Sequence, residues 1–233
     1  GAPLAHQWPD MAPGERRSAV RQVAARLAAL HGTEAPTDLP PIKGAPQLLD
    51  AASPAPAAPL VEALERAARL DHVDPLLLRE AIDLVERTAS ALEPFAVTTL
   101  VHGDLTFENI LCNRGDVTAL LDFEWARPGP PDLDLDILLR CCAYPQLHVG
   151  ARHEARTHAE DYAPVPGWLL EDYPSLFAIP DLLDRMRIYS LAFDVRELLA
   201  FPPAADLDGV SPLHPYHRLA RVVERRSYLD TFL

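Results

Sequence analysis

Apolar residues recur at every third or fourth position through most of the chain, and that rhythm breaks once, near the middle. Pro13 to His31 carries Val20, Val23, Ala24, Leu27 and Leu30 at helical spacing, with Gly32 as a stop, which predicts a helix. Two more helices are expected over Leu60–Leu70 and Pro75–Leu92, the first apolar at Leu60, Ala63, Leu64 and Ala67. The period then shortens. Val97–Val101 is short and β-branched, and Ile110–Cys112 and Val117–Leu121 flank Asn113-Arg114-Gly115-Asp116, a turn sequence, so a small hairpin is expected. From Asp134 the helical rhythm returns, with further helices expected near Arg152–Tyr162, Asp181–Phe201 and Pro215–Leu229. Leu182, Leu183, Met186, Tyr189 and Phe193 give the longest of these an apolar face. Thr33 to Pro59 is rich in Pro and Ala and reads as an irregular connector. The pattern predicts an α+β, mostly helical fold in which one small β-ribbon carries the polar motifs.

Composition narrows this picture. With 233 residues, 48% of them hydrophobic, the chain is long enough for a sizeable core. Its 24 prolines gather between the periodic segments and imply stiff loops. A net charge of −13 weighs against nucleic acid or an anionic membrane as partner and suits a cationic small molecule. The three cysteines, Cys112, Cys141 and Cys142, are odd in number and include an adjacent pair. Together with the lack of a signal-peptide pattern, they lead us to expect a cytoplasmic protein.

The candidate chemistry lies in Val101-His102-Gly103-Asp104-Leu105-Thr106-Phe107-Glu108-Asn109-Ile110-Leu111 and in Leu121-Asp122-Phe123-Glu124-Trp125. An apolar strand delivers Asp104 into a loop, Asn109 follows five residues later, and Asp122 arrives across the hairpin. One end of a β-ribbon thus gathers two carboxylates and an amide oxygen. Phosphoryl transfer needs such a set: a carboxylate to orient the acceptor hydroxyl and take its proton, and hard oxygen ligands for Mg²⁺. Glu108 and Glu124 read as solvated or supporting residues, and His148, His153, His158, His214 and His217 as surface residues without metal-site spacing.

This motif, H-G-D-x-x-x-x-N followed about a dozen residues later by an apolar-flanked Asp, resembles the aminoglycoside phosphotransferase family, which includes choline-kinase-like enzymes. The resemblance implies a protein-kinase-like C-terminal lobe, ATP or GTP as phosphoryl donor, and Mg²⁺. It implies Asp104 as the catalytic residue, His102 bracing the loop, and Asn109 and Asp122 as ligands of the metal and its nucleotide. Gly129-Pro130-Pro131-Asp132-Leu133-Asp134-Leu135 is similar to a further family segment, in which Asp134 ties the loop to the next helix. On this resemblance residues 1–233 are one lobe: a post-hinge helix (1–32), the connector (33–59), the catalytic and metal loops (97–135) and a helical acceptor-side region (136–233).

The family's N-terminal β-lobe is not recognisable in the sequence. The ten glycines are dispersed, and the single lysine, Lys43, sits between prolines and reads as an ordinary loop residue. Three readings stay open: a piece of a longer kinase, a lobe that acts with a partner chain, or a kinase-like lobe used only for binding. A metal-dependent lyase or hydrolase on the same carboxylates is a further alternative. The acceptor expected from the resemblance is a small hydroxyl compound. Glu160, Asp161, Glu171, Asp172, Asp181 and Asp184 lie in a stretch without Lys or Arg that also holds Tyr162, Trp168, Tyr173 and Phe177. They read either as solvated helix ends and loop residues or, since the resemblance places the acceptor pocket in this region, as the site of an amine-bearing acceptor.

Overall fold

The computed structural model describes residues 1–36, 39, 48–49, 53, 55–93, 99–204 and 207–233. In chain order the main elements are β1 (Ala2–Pro3), α1 (Leu4–Gln7), α2 (Pro13–His31), α3 (Ala58–Ala67), α4 (Pro75–Thr88), β2 (Leu100–Val101), β3 (Ile110–Asn113), β4 (Asp116–Leu120), β5 (Arg127–Pro128), α5 (Asp132–Ala143), α6 (Ala151–Glu154), α7 (Val165–Asp172), α8 (Leu182–Ala200), α9 (Pro215–Val223) and α10 (Leu229–Phe232). The described chain is mostly helical with small antiparallel sheets, as the hydrophobic rhythm predicts. Lys43 and most of the Pro/Ala-rich connector lie outside the described residues, as do Val97 and Thr98 of the expected strand.

The chain forms two compact units. The first comprises residues 1–40 and 97–179, the second residues 41–96 and 180–231. In the first, α2 begins where Glu15 accepts the Ala12 N–H (2.7 Å) and Pro13 fills the first turn, where no amide partner is needed. Val20, Val23, Ala24 and Leu27 bury its apolar stripe. The hairpin β3–β4 pairs Ile110 with Leu120 and Asn113 with Asp116. Its turn places Arg114 (φ 53°) and Gly115 (φ 84°) both in the left-handed region, the pattern of a type I′ connection. A third strand, β1, pairs Ala2 with Cys112 and Pro3 with Leu111. Two residues give too little periodicity to announce that strand. Trp8, Phe107 and Tyr162 then close the core, with ring centroids 4.9–5.3 Å apart.

In the second unit, α8 is buried on almost every side and packs against α3, α4 and α9. Arg218 of α9 donates from Nε to Asp194 Oδ1 (2.8 Å) and from Nη2 to Glu197 Oε2 (2.8 Å), with Arg218 and Asp194 at 2% and 1% side-chain exposure.

Two expected helices differ from the observed ones. Arg152–Tyr162 is one short turn, α6, followed by an isolated 3₁₀ turn over Ala159–Asp161. Thr157 bonds back through Oγ1 to the His153 carbonyl (3.0 Å) and His158 is extended, which ends the helix. Pro215–Leu229 breaks after Val223, because Arg225 (φ 55°) takes the left-handed position of a Schellman stop. There the Arg226 N–H reaches the Arg221 carbonyl and the Arg225 N–H reaches that of Val222. Between α6 and α9, α7 forms in a stretch for which the hydrophobic rhythm announces no element, and Pro166 is tolerated there because it falls within the first turn.

Candidate active site

The catalytic-type loop begins where β2 ends. β2 pairs with β5 (Val101 with Arg127), which fixes the direction in which residues 102–104 leave the sheet. Gly103 has φ +81°, and a Cβ there would collide with the Trp125 carbonyl and the Arg127 guanidinium, so only glycine lets the two segments pass this closely. Asp134, fully buried on α5, accepts the His102 N–H (2.8 Å) and the Gly103 N–H (2.7 Å) on its two oxygens. It thereby pins the backbone on which Asp104 stands. The His102 ring is buried as well. Its Nε2 lies 2.8 Å from the Leu121 carbonyl and its Nδ1 faces the Asp104 N–H (3.3 Å), which assigns the neutral Nε2–H tautomer.

Asn109 closes the loop. Its Nδ2 donates to the Asp104 carbonyl (2.8 Å) and to Asp104 Oδ2 (3.2 Å), leaving its amide oxygen unused by that pairing. The Leu121 N–H reaches the Asn109 carbonyl (2.8 Å), so the residue after Leu121 emerges beside Asn109 at the open end of the ribbon. That residue, Asp122, is held at φ 62° and ψ 61°, a conformation L-residues avoid unless neighbours impose it. It is exposed, and Leu121 and Phe123 on either side are 41% and 44% exposed. Burial pushes the Asp104 carboxyl above the usual range. The charges of Asp122 and Glu124 add to that, while the Asn109 hydrogen bond pulls the other way.

The structure therefore brings His102, Asp104, Asn109 and Asp122 to one end of the β-ribbon, all within the first unit. Glu108 turns aside to His6 Nε2 (2.9 Å), whose ring stacks on His153 (centroids 3.9 Å apart). Among the described residues no three His, Cys, Asp or Glu side chains converge as a metal cluster. Of the acids in the 157–184 stretch, Asp161 pairs with Arg16 (2.5 Å), Glu171 (2.9 Å) and Asp172 pair with Arg17, and Asp184 pairs with Arg187 (3.3 Å). Tyr162 is buried in the core and does not face solvent. Sequence reasoning missed that His31, at the end of α2, contacts Asp134 (Nε2 to Oδ2, 3.0 Å) and Tyr173 (Nδ1 to Oη, 3.1 Å). A helix-terminal histidine gives no such signal by itself.

A buried aspartate thus pins a His-Gly-Asp loop that an Asn and an Asp close across a hairpin. The model of the phosphotransferase enzyme family (APH) matches residues 1–169, and the chain belongs to that family. No curated protein matches the chain. Among the described residues no helix is long and apolar enough to cross a membrane.

Proposed function

We propose that this chain is the kinase-like C-terminal lobe of an enzyme that transfers a phosphoryl group from ATP or GTP to a hydroxyl of a small molecule. What carries the reading is the double hydrogen bond from Asn109 to Asp104, with Asp122 delivered beside it by the Leu121–Asn109 bond. Asp104 orients the acceptor hydroxyl and takes its proton as the phosphoryl group moves to that oxygen. A carboxyl lifted by burial is better matched to that task than a solvated one. His102 holds the loop through its two ring bonds.

Asn109 and Asp122 would hold Mg²⁺ and, through it, the nucleotide phosphates. The donor set suits that ion: one amide oxygen left open by the Asp104 pairing and one exposed carboxylate without a hydrogen bond among the described residues. When bound, Mg²⁺ neutralises phosphate charge and leaves room for water and phosphate oxygens in its shell. The dispersed glycines and the single lysine form no recognisable glycine-loop or strand-lysine motif in the sequence, and the proposal includes a nucleotide-binding lobe or partner chain that would complete the site. The amine-bearing acceptor belongs to the proposal, with a narrower basis. Of the six acids named above, Glu160 and Asp181 make no ion pair among the described residues.

Asp104→Ala is expected to lower turnover on the order of 10²–10⁴-fold. Asp122→Asn is expected to raise the magnesium requirement instead, which a metal titration separates from the first effect. Full turnover by Asp104→Ala would remove Asp104 from the role of base, whereas ligand binding that survives Asp104→Ala with no phosphoryl transfer by the native protein would point to a binding module. Phosphate release from a phosphorylated compound without added nucleotide would point to a hydrolase. A screen of amino sugars, choline-like amines, neutral sugars and nucleosides tests the acceptor class, and phosphorylation of uncharged acceptors alone overturns the amine preference.

A further inference from the structure

Asp134 takes three donors on two oxygens: the amides of His102 and Gly103, and His31 Nε2. The His31 side chain is 2% exposed and that of Asp134 is 0%, so neither is levelled by solvent. An imidazole that gives Nε2–H to a carboxylate keeps a lone pair on Nδ1, and Tyr173 Oη stands 3.1 Å from that nitrogen. Burial pushes the Tyr173 phenol above its ordinary pKa, and the Asp134 charge adds to this, so it stays a donor. Tyr173, His31 and Asp134 therefore form a one-way chain of donors ending on the loop backbone. The opposite tautomer would set the Nε2 lone pair against a buried carboxylate. Tyr173 sits where α7 ends, its N–H on the Leu169 carbonyl (2.8 Å), and Arg17 holds the neighbouring Glu171 and Asp172.

We propose that Tyr173 is a positioning residue for phosphoryl transfer. By fixing the His31 tautomer it keeps Asp134 hydrogen-bonded to His102 and Gly103, and so holds Asp104 in line with its acceptor. The proposal rests on the reading of Asp104 as the base. It links the C-terminal end of α7 to the loop through side chains that touch no substrate.

The test compares the native protein with Tyr173→Phe, His31→Gln, His31→Asn and Asp104→Ala. Histidine ¹⁵N spectra should report a neutral Nε2–H form for His31 in the native protein and a mixture in Tyr173→Phe. In that variant kcat should fall about fivefold with both KM values unchanged, the mark of an interaction felt in the transition state. His31→Gln places an amide nitrogen where Nε2 was. It should keep kcat within about twofold and the His102 and Gly103 amides protected from exchange, whereas His31→Asn should lose both. An unchanged tautomer and kcat in Tyr173→Phe overturns the proposal, and so does equal loss by the Gln and Asn variants. Full turnover by Asp104→Ala overturns it from the other side, through the base reading. That outcome is distinguishable because the tautomer shift in Tyr173→Phe would still be seen.

Discussion

Gly103 and Asp104 are neighbours under opposite constraints. Gly103 is fixed by space: its positive φ and the Trp125 carbonyl leave no volume for a Cβ. Gly103→Ala should cost roughly 3 kcal/mol or more, combining left-handed strain with a clash against backbone, and a denaturation curve measures it. Asp104 is fixed by charge. Its carboxyl is raised by burial, so across the window between the ordinary carboxylate value of about 3.9 and its raised value the folded state binds the proton more tightly. Stability contributed by this residue therefore falls as pH rises through that window and stays lower above it. Asp104→Asn cannot ionise and can still accept the Asn109 Nδ2–H. It should melt above the native protein at neutral pH, with the difference closing as pH drops toward about 4. Residues of this kind were legible in the sequence, because an Asp–Asn–Asp spacing with a flanking Gly states its own geometry. His31 and Tyr173 were not, since 142 residues separate them and neither belongs to a motif.

Among the elements, α2, the β3–β4 hairpin and α8 follow directly from periodicity and turn chemistry, and their observed bounds lie close to those expected. The misreadings share one cause: local signals that act only through backbone conformation. Arg225 does at the end of α9 what glycine usually does, so nothing in the residue type marks the stop. In the 157–184 stretch, Arg16 and Arg17, far away in sequence, pair with Asp161, Glu171 and Asp172, so charge counted along the stretch alone overstates its free acid groups. Asp172→Asn should therefore lower stability by about 1 kcal/mol, an effect that added salt diminishes, as expected of a partly exposed pair. Arg218 is a different case. Arg218→Ala removes the guanidinium that bonds the buried Asp194 carboxylate and should cost about 3–5 kcal/mol with little salt dependence.

At the scale of the molecule, the constellation proposed for catalysis belongs wholly to the first unit, while the family match from 1 to 169 also takes in the part of the second that precedes residue 97. With one lysine and no clustered glycines, the chain by itself should bind MgATP more weakly than about 1 μM, roughly 8 kcal/mol, by titration calorimetry. Tighter binding would mean that a second phosphate clamp exists within it. The thiols offer an independent handle. Cys112, Cys141 and Cys142 are all buried in the first unit, and burial lifts all three, Cys141 to about 12. Thiols held neutral and dry do not react with aqueous disulfide reagents until the surrounding structure opens. Their labelling rate is therefore a built-in clock for transient opening of the half that carries Asp104. The second unit has no cysteine and stays silent, so ligands can be ranked by how far they slow the clock, without measuring turnover at all.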